Sequence, residues 1–283
     1  MSLLDIASNT LKSYLLLAKE SNVEIYSTST SLLVRLLAIG YHSSISGYAF
    51  STTHHNILYV STFSGLIYKW NWIEGKKIAR WDISSQIANL GTAASTMTES
   101  DEDIVYTIDK KGKWTITAHK LMAGDQASKT QLVTLYRSPQ PISGLRVVEG
   151  GRALIATSEN LLMIGVINGS DRTSLISTTY VWRQVTLPEW ITCFDVRVAF
   201  NAVQSIGANS EKLKSRNSSF RSSIDIVAGG AKGEIYIYKD LLEKLIQKER
   251  LDKTGRAVDL AASLQHWHRE AVSTVKWSLD GKS

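Results

Sequence analysis

Few side chains in this sequence are spaced for chemistry. His54-His55 and His266/His268 are its histidine clusters. Two histidines two apart on a strand share a face and suit zinc, but no third ligand of the right type lies near, so structural roles are expected. Cys193 is the single cysteine, which leaves neither an internal disulfide nor a cysteine-rich metal site. It alternates with Ile191 and Asp195 on one side of a strand-like run, with Thr192, Phe194 and Val196 on the other, the setting of a small packed residue rather than a nucleophile. Gly281-Lys282-Ser283 has the end of a phosphate-binding loop, yet Lys276 stands where that loop needs its first glycine. Gly229-Gly230-Ala231-Lys232-Gly233 joins two strand-like runs and reads as a hairpin turn. Asp195, Arg146 and Lys276 occur singly on such runs, with no acid/base pair of catalytic spacing. Asp101-Glu102-Asp103 reads as a solvated loop tip. The expectation is a protein with no catalytic residue, no metal, no cofactor and no small-molecule substrate.

Phosphate contact is the chemistry that remains. Lys212, Lys214, Arg216 and Arg221, set against Glu211 alone, lie in the serine-rich, non-periodic insertion 200–222. Soon after comes KDLLEKLIQKERLDKTGR, in which basic residues again outnumber acidic ones. A helix is expected over 240–251, with Asp240 as its cap and Glu243 reaching back. Leu241, Leu242, Leu245 and Ile246 would form its apolar stripe. Two readings compete. In one, both elements contact RNA phosphates through Lys and Arg without base specificity. In the other, a solvated loop sits beside a helix packed on its own blade.

The balance of the 283 residues suits either. The formal net charge is +6, with 43% hydrophobic and 20% charged residues, a soluble globular composition compatible with an acidic partner. No apolar run approaches the ~20 residues needed to cross a bilayer, so no membrane association is expected. The lone cysteine suits a reducing compartment, nucleus or cytosol.

The elements that position these residues recur. Five hairpins stand out: Tyr14–Ser27, Ile57–Trp72, Ile104–Ala118, Ala153–Val166 and Ile224–Tyr238. Their turn residues are Asn22, Gly65, Gly112, Asn160 and Gly233, at intervals of roughly 45 residues until a wider last gap, close to the blade period of a WD-repeat propeller. Upstream, ISGYAF, ISGLRV, ITCFDV and VSTVKW, from Ile45, Ile142, Ile191 and Val272, share one pattern: apolar, Ser/Thr, variable, apolar, variable, apolar. That is an inner strand entering each blade. Near Ile87–Thr92 the pattern is weak and is placed by position only. Outer strands are expected at Leu32–Leu37, Lys77–Ile83, Gln131–Arg137 and Thr178–Val185. The fold class is therefore all-β, with blades near 14–37, 45–83, 87–137, 142–185 and 191–268, and a further blade starting over 271–283. About five blades of an expected seven would leave the circle incomplete. The chain accordingly reads as the N-terminal portion of a longer protein, with unpaired edges prone to association.

This pattern resembles the WD-repeat superfamily in degenerate form. Lys69-Trp70-Asn71 stands where the Trp-Asp dipeptide ends a third strand; Trp267-His268 stands where Gly-His is common, followed by AVSTVKWSLDGK. By that likeness Trp70, Trp267, His268 and Asp280 are blade-junction residues. More narrowly, SYLLLAKESNVEIYSTSTSLLVRLL and LQHWHREAVSTVKWSLDGKS are similar to the WD-repeat subunit family of the U-three-protein A subcomplex of the small-subunit processome. That resemblance implies a eukaryotic, fungal-type scaffold of nucleus and nucleolus with two propellers and a helical tail. It would be non-catalytic and support pre-ribosomal RNA transcription and small-subunit processing. Its partners would be the other subunits of that subcomplex, the 5′ external spacer of pre-ribosomal RNA and the U three small nucleolar ribonucleoprotein, directly or indirectly. The alternative is a generic WD-repeat adaptor of ubiquitin-ligase or vesicle-coat type.

Overall fold

The structure is a computed structural model that describes residues 4–9, 12–40, 44–51, 54–83, 85–94, 103–121, 131–148, 151–167, 179–199, 223–251, 260–266 and 269–277. The chain is all-β, a β-propeller fold, with five four-stranded antiparallel blades and one short helix among the described residues. The first blade contains β1 (Leu4–Asn9), β2 (Lys12–Ala18), β3 (Asn22–Ser27) and β4 (Leu33–Ala38). The second contains β5 (Ile45–Phe50), β6 (Ile57–Thr62), β7 (Leu66–Asn71) and β8 (Lys76–Asp82). In the third are β9 (Gln86–Ala94), β10 (Asp103–Lys111), β11 (Lys113–Leu121) and β12 (Gln131–Ser138). The fourth has β13 (Gly144–Val148), β14 (Ala153–Ser158), β15 (Leu161–Ile167) and β16 (Tyr180–Thr186). β17 (Ile191–Ala199), β18 (Ser223–Gly230), β19 (Glu234–Tyr238) and β20 (Ser263–His266) make the fifth, with α1 (Leu241–Leu251) following β19. Each blade is a meander in chain order.

The turn column has a backbone cause. Gly65, Gly112 and Gly233 hold φ of 94°, 77° and 88°, a region that a side chain with a Cβ enters at a cost. At the β14–β15 turn of the fourth blade the residue with positive φ is Glu159, one before the expected Asn160. Asn160 instead donates its side-chain amide to the Leu187 carbonyl at 3.1 Å.

The Ser/Thr of the inner-strand pattern also has a cause. Ser46 and Thr192 are the extra residues of β-bulges in β5 and β17. A bulge re-aims the side chain it carries. Ser46 meets the Ser61 hydroxyl at 2.9 Å, and Thr192 donates to the Gly229 carbonyl at 3.1 Å. The bulge also breaks the expected alternation at Cys193, which is half-buried and donates its thiol to the Val272 carbonyl at 3.4 Å. Burial pushes that thiol's pKa upward, so it is a poorer nucleophile.

Two compact units divide the chain, the first running to residue 153 and the second starting at residue 154. In the first, Leu16, Val23, Ile25 and Leu37 of blade one pack on Leu58, Val60, Tyr68, Trp70 and Trp72 of blade two. The opposite face of blade two, with Tyr59, Ile67 and Trp81, packs on Ile87, Leu90, Val105 and Leu121 of blade three. These are the alternating inward faces that a stack of blades needs. Inner strands come close: a Cβ on Gly47 would lie 2.9 Å from the Leu90 amide nitrogen. β1 completes the first blade by pairing with β2 from Leu4↔Leu17 to Asn9↔Lys12, a strand that the sequence reading did not assign.

Within the second unit, β14 and β18 are buried along the lengths that belong to it. Trp182 lies over Gly165 of the neighbouring strand, so close that a Cβ there would sit 2.8 Å from the indole. Before β17, the buried Glu189 accepts the Lys232 amide and the Tyr236 hydroxyl, tying the β18–β19 turn to the loop that precedes the blade. The same hydroxyl contacts Glu234. Residues 271–277, expected to form an inner strand, are not part of a strand. They are tied to the fifth blade at two points: the Val272 amide donates to the Gly230 carbonyl at the end of β18 at 3.0 Å, and the Trp277 amide to Asp195 of β17 at 3.0 Å.

Candidate interaction site on the fifth blade

Strand register determines where the two insertions leave the blade. Ala199, the last residue of β17, is paired with Ser223, the first of β18. Insertion 200–222 therefore leaves and returns at one point. β19 is antiparallel to β18, with Ile226 opposite Tyr238, so Asp240 and the start of α1 emerge at that same end. The Ser223 hydroxyl contacts Asp240 Oδ1 directly, which joins the two roots.

A polar cluster fixes the junction. Arg197 donates from Nη2 to Asp225 Oδ2 at 2.6 Å. The other carboxylate oxygen of Asp225 accepts the Asp240 amide at 3.0 Å and the Ser223 hydroxyl at 3.3 Å. Ser223 has one proton, so Asp225 and Asp240 share it. The buried Asp225 thus keeps an opposite charge and three donors, the condition for a carboxylate to stay in an interior. Above it, the Arg197 guanidinium lies 4.4 Å from the Trp277 ring centroid, a cation–π contact that ties 271–277 to the junction. Asp240 has φ of 53°, a left-handed conformation that Asp adopts more readily than most residues. Its carbonyl accepts the Lys244 amide at 3.1 Å, while its carboxylate turns to Ser223. The expected capping box is not formed. Glu243 instead accepts from Gln247 at 3.2 Å.

The helix docks through its stripe. Leu241, Leu242 and Leu245 are buried, and Ile246 is half-buried. The Arg183 guanidinium of β16 donates to Glu249 at 2.9 Å and anchors the far turn. The apolar side of the helix thus packs against β18 of its own blade. Exposed Glu243, Lys244 and Gln247 form its outer side.

Lys212, Lys214, Arg216 and Arg221 lie outside the described residues, as do Trp267, His268 and Asp280. Trp70 is described: it is buried in the core between blades one and two, and its indole N–H has no acceptor among the described residues. Of the other third-strand aromatics Tyr236 is buried, while Tyr26 and Trp114 are half-buried, the Lys110 ammonium lying 5.5 Å from the Trp114 ring centroid. The His55 carbonyl accepts the Trp72 indole N–H at 2.8 Å. Among the described residues no cluster of His, Cys, Asp and Glu is arranged to hold a metal.

One group has the composition of a catalytic triad. Thr107, Asp109 and His119 are buried on one face of β10 and β11. Thr107 donates to Asp109 at 2.6 Å and meets His119 Nε2 at 2.8 Å. Because the threonine proton goes to Asp109, Nε2 must carry the proton of the second bond. His119 therefore donates to the hydroxyl it would have to deprotonate. Its Nδ1 has no partner among the described residues. This wiring stabilises a blade and does not activate a nucleophile. Sequence reasoning missed it, although Thr107 and Asp109 two apart before Gly112, with His119 beyond, already place all three on one face.

No protein-family model matches the chain, and no curated protein matches its sequence significantly. The propeller fold is one that typically serves as a non-catalytic scaffold.

Proposed function

We propose that this chain is a non-catalytic scaffold subunit of the small-subunit processome, acting in nucleolar pre-ribosomal RNA transcription and processing. The observation that carries the reading is the meeting of the roots of both basic insertions at Ser223 and Asp240. Arg197 and Asp225 brace the junction from which α1 starts, and the segment containing Lys212, Lys214, Arg216 and Arg221 rejoins the blade at Ser223 of that junction. Cations clustered in one segment contact phosphates without reading bases, so affinity is electrostatic and specificity comes from co-assembled partners. The likeness of the two ends of the chain to the U-three-protein A subunit family supports the same reading and names those partners: sibling subunits, the 5′ external spacer and the U three ribonucleoprotein.

RNA crosslinking with peptide identification tests it, comparing the unaltered protein with a variant carrying Ser at Lys212, Lys214, Arg216 and Arg221. Loss of crosslinks within 200–222 is expected. RNA affinity should also depend less steeply on salt, by up to about 0.7 in log–log slope per lost single-strand phosphate contact. Unchanged crosslinks and slope would remove the insertion from the function. Recovery of ubiquitin-ligase or coat subunits in place of processome components would favour the adaptor reading.

A further inference from the structure

On the rim of blades one and two, three cations face one another. β8 carries a bulge in which Ile78 is the extra residue, so that Trp70 is opposite Lys77 and Tyr68 opposite Arg80. An uninterrupted strand would send residues three apart to opposite faces; the bulge brings Lys77 and Arg80 to one face. Their charges lie 5.7 and 6.0 Å from the Tyr68 ring centroid. From blade one, Arg35 is opposite Ile25 in β3, and Ile25, Leu37, Tyr68 and Trp70 share one core cluster. Arg35 therefore points to the same inter-blade rim, where its Nε donates to the Ile73 carbonyl at 2.8 Å. All three cations are exposed, and none is ion-paired with a described carboxylate. Beside them Ile73 and Ile78 are 44% and 49% exposed.

We propose that this rim is a docking surface for an acidic peptide segment of a partner protein, one with apolar residues between its carboxylates. The charge calls for an anion. The exposed isoleucines favour a peptide over a nucleic acid, because a phosphate backbone offers them nothing apolar. β8 is also the edge strand of its sheet, without a strand neighbour on its outer side among the described residues, where an extended peptide can add a strand. This surface is distinct from the fifth-blade junction and stands or falls independently of the RNA reading.

Fluorescence anisotropy of the full chain tests it with a labelled peptide of alternating glutamate and leucine, a matched lysine–leucine peptide and a labelled oligouridine. The acidic peptide should bind and the lysine peptide should not. The double variant K77E/R80E should weaken acidic-peptide binding at least tenfold, while K244E on α1 leaves it unchanged. If the double variant fails to fold, K77Q/R80Q replaces it, and hydrogen exchange of the unaltered protein should show peptide protection over 73–80. Absence of acidic-peptide binding, equal affinity in the variants, or protection elsewhere overturns the proposal. So does oligouridine binding more tightly than the peptide through Lys77 and Arg80.

Discussion

Arg183 in β16 and Glu249 in α1 hold each other at 2.9 Å across 66 positions of sequence, the arginine 15% and the glutamate 38% exposed. This pair is the polar clamp on the far end of a helix whose near end is rooted at Asp240. Partly exposed pairs contribute little to global stability, so Glu249→Ala should cost about 0.5–1 kcal/mol in urea unfolding. The larger effect should be local. Amide exchange in the last turns of α1 should accelerate, and a helix that exchanges as before would show the clamp to be redundant.

Leu245 is 1% exposed beneath the same helix. Leu245→Ala should destabilise by about 2–4 kcal/mol through lost burial and a residual cavity. Lys244→Ala, one position earlier and exposed, should stay within about 0.5 kcal/mol. Equal costs in the two urea titrations would mean that the stripe does not dock the helix.

Thr107→Val keeps the shape of the side chain and removes the hydroxyl that joins Asp109 to His119. A buried carboxylate then loses its donor, which costs about 1–3 kcal/mol. Denaturant midpoints at neutral pH measure this. A neutral outcome would show that water or another donor already satisfies Asp109.

Stability at the pH extremes should follow two groups. Burial, reinforced by the bond to Glu234, raises the Tyr236 phenol above its ordinary value of 10.0. The folded form therefore keeps its proton where the unfolded chain loses it, so stability is intact below about pH 10 and falls as pH rises further. Tyr236→Phe should flatten that alkaline slope. In acid the sign reverses. The hydrogen bond from Lys19 at 2.5 Å, then that from Tyr26 at 2.7 Å, holds Glu24 below the usual carboxylate range. Its contribution is present above the unfolded value of 4.5 and is lost as pH falls through the lower folded value. Glu24→Gln should reduce the acid slope measured by urea unfolding between about pH 5 and 2.

Blade architecture was legible because a period-two pattern punctuated by glycines is a local property. Gly65, Gly112 and Gly233 each satisfy a positive φ wherever the blade lies. The inner-strand Ser/Thr was visible as a column, but its meaning as a bulge residue required the partner strand that Ser46 and Thr192 fail to pair with. β1 leaves little trace in the sequence because its alternation is short and its partner, β2, is also half of the hairpin with β3. The Asp240 cap failed for a related reason: local capping chemistry lost to a tertiary acceptor–donor pair with Ser223.

By itself, the sequence determined strand periodicity, turn positions, the apolar stripe of α1 and the lack of cysteine partners, because each depends on neighbours along the chain. Only tertiary structure decided which polar groups meet. Arg197 with Asp225, Ser223 with Asp240, and Lys77 with Arg80 over Tyr68 are consequences of register and bulges, where one extra residue reverses the face a side chain takes. Such one-residue offsets leave no periodic trace in composition, so the surfaces they build emerge only when strands are paired.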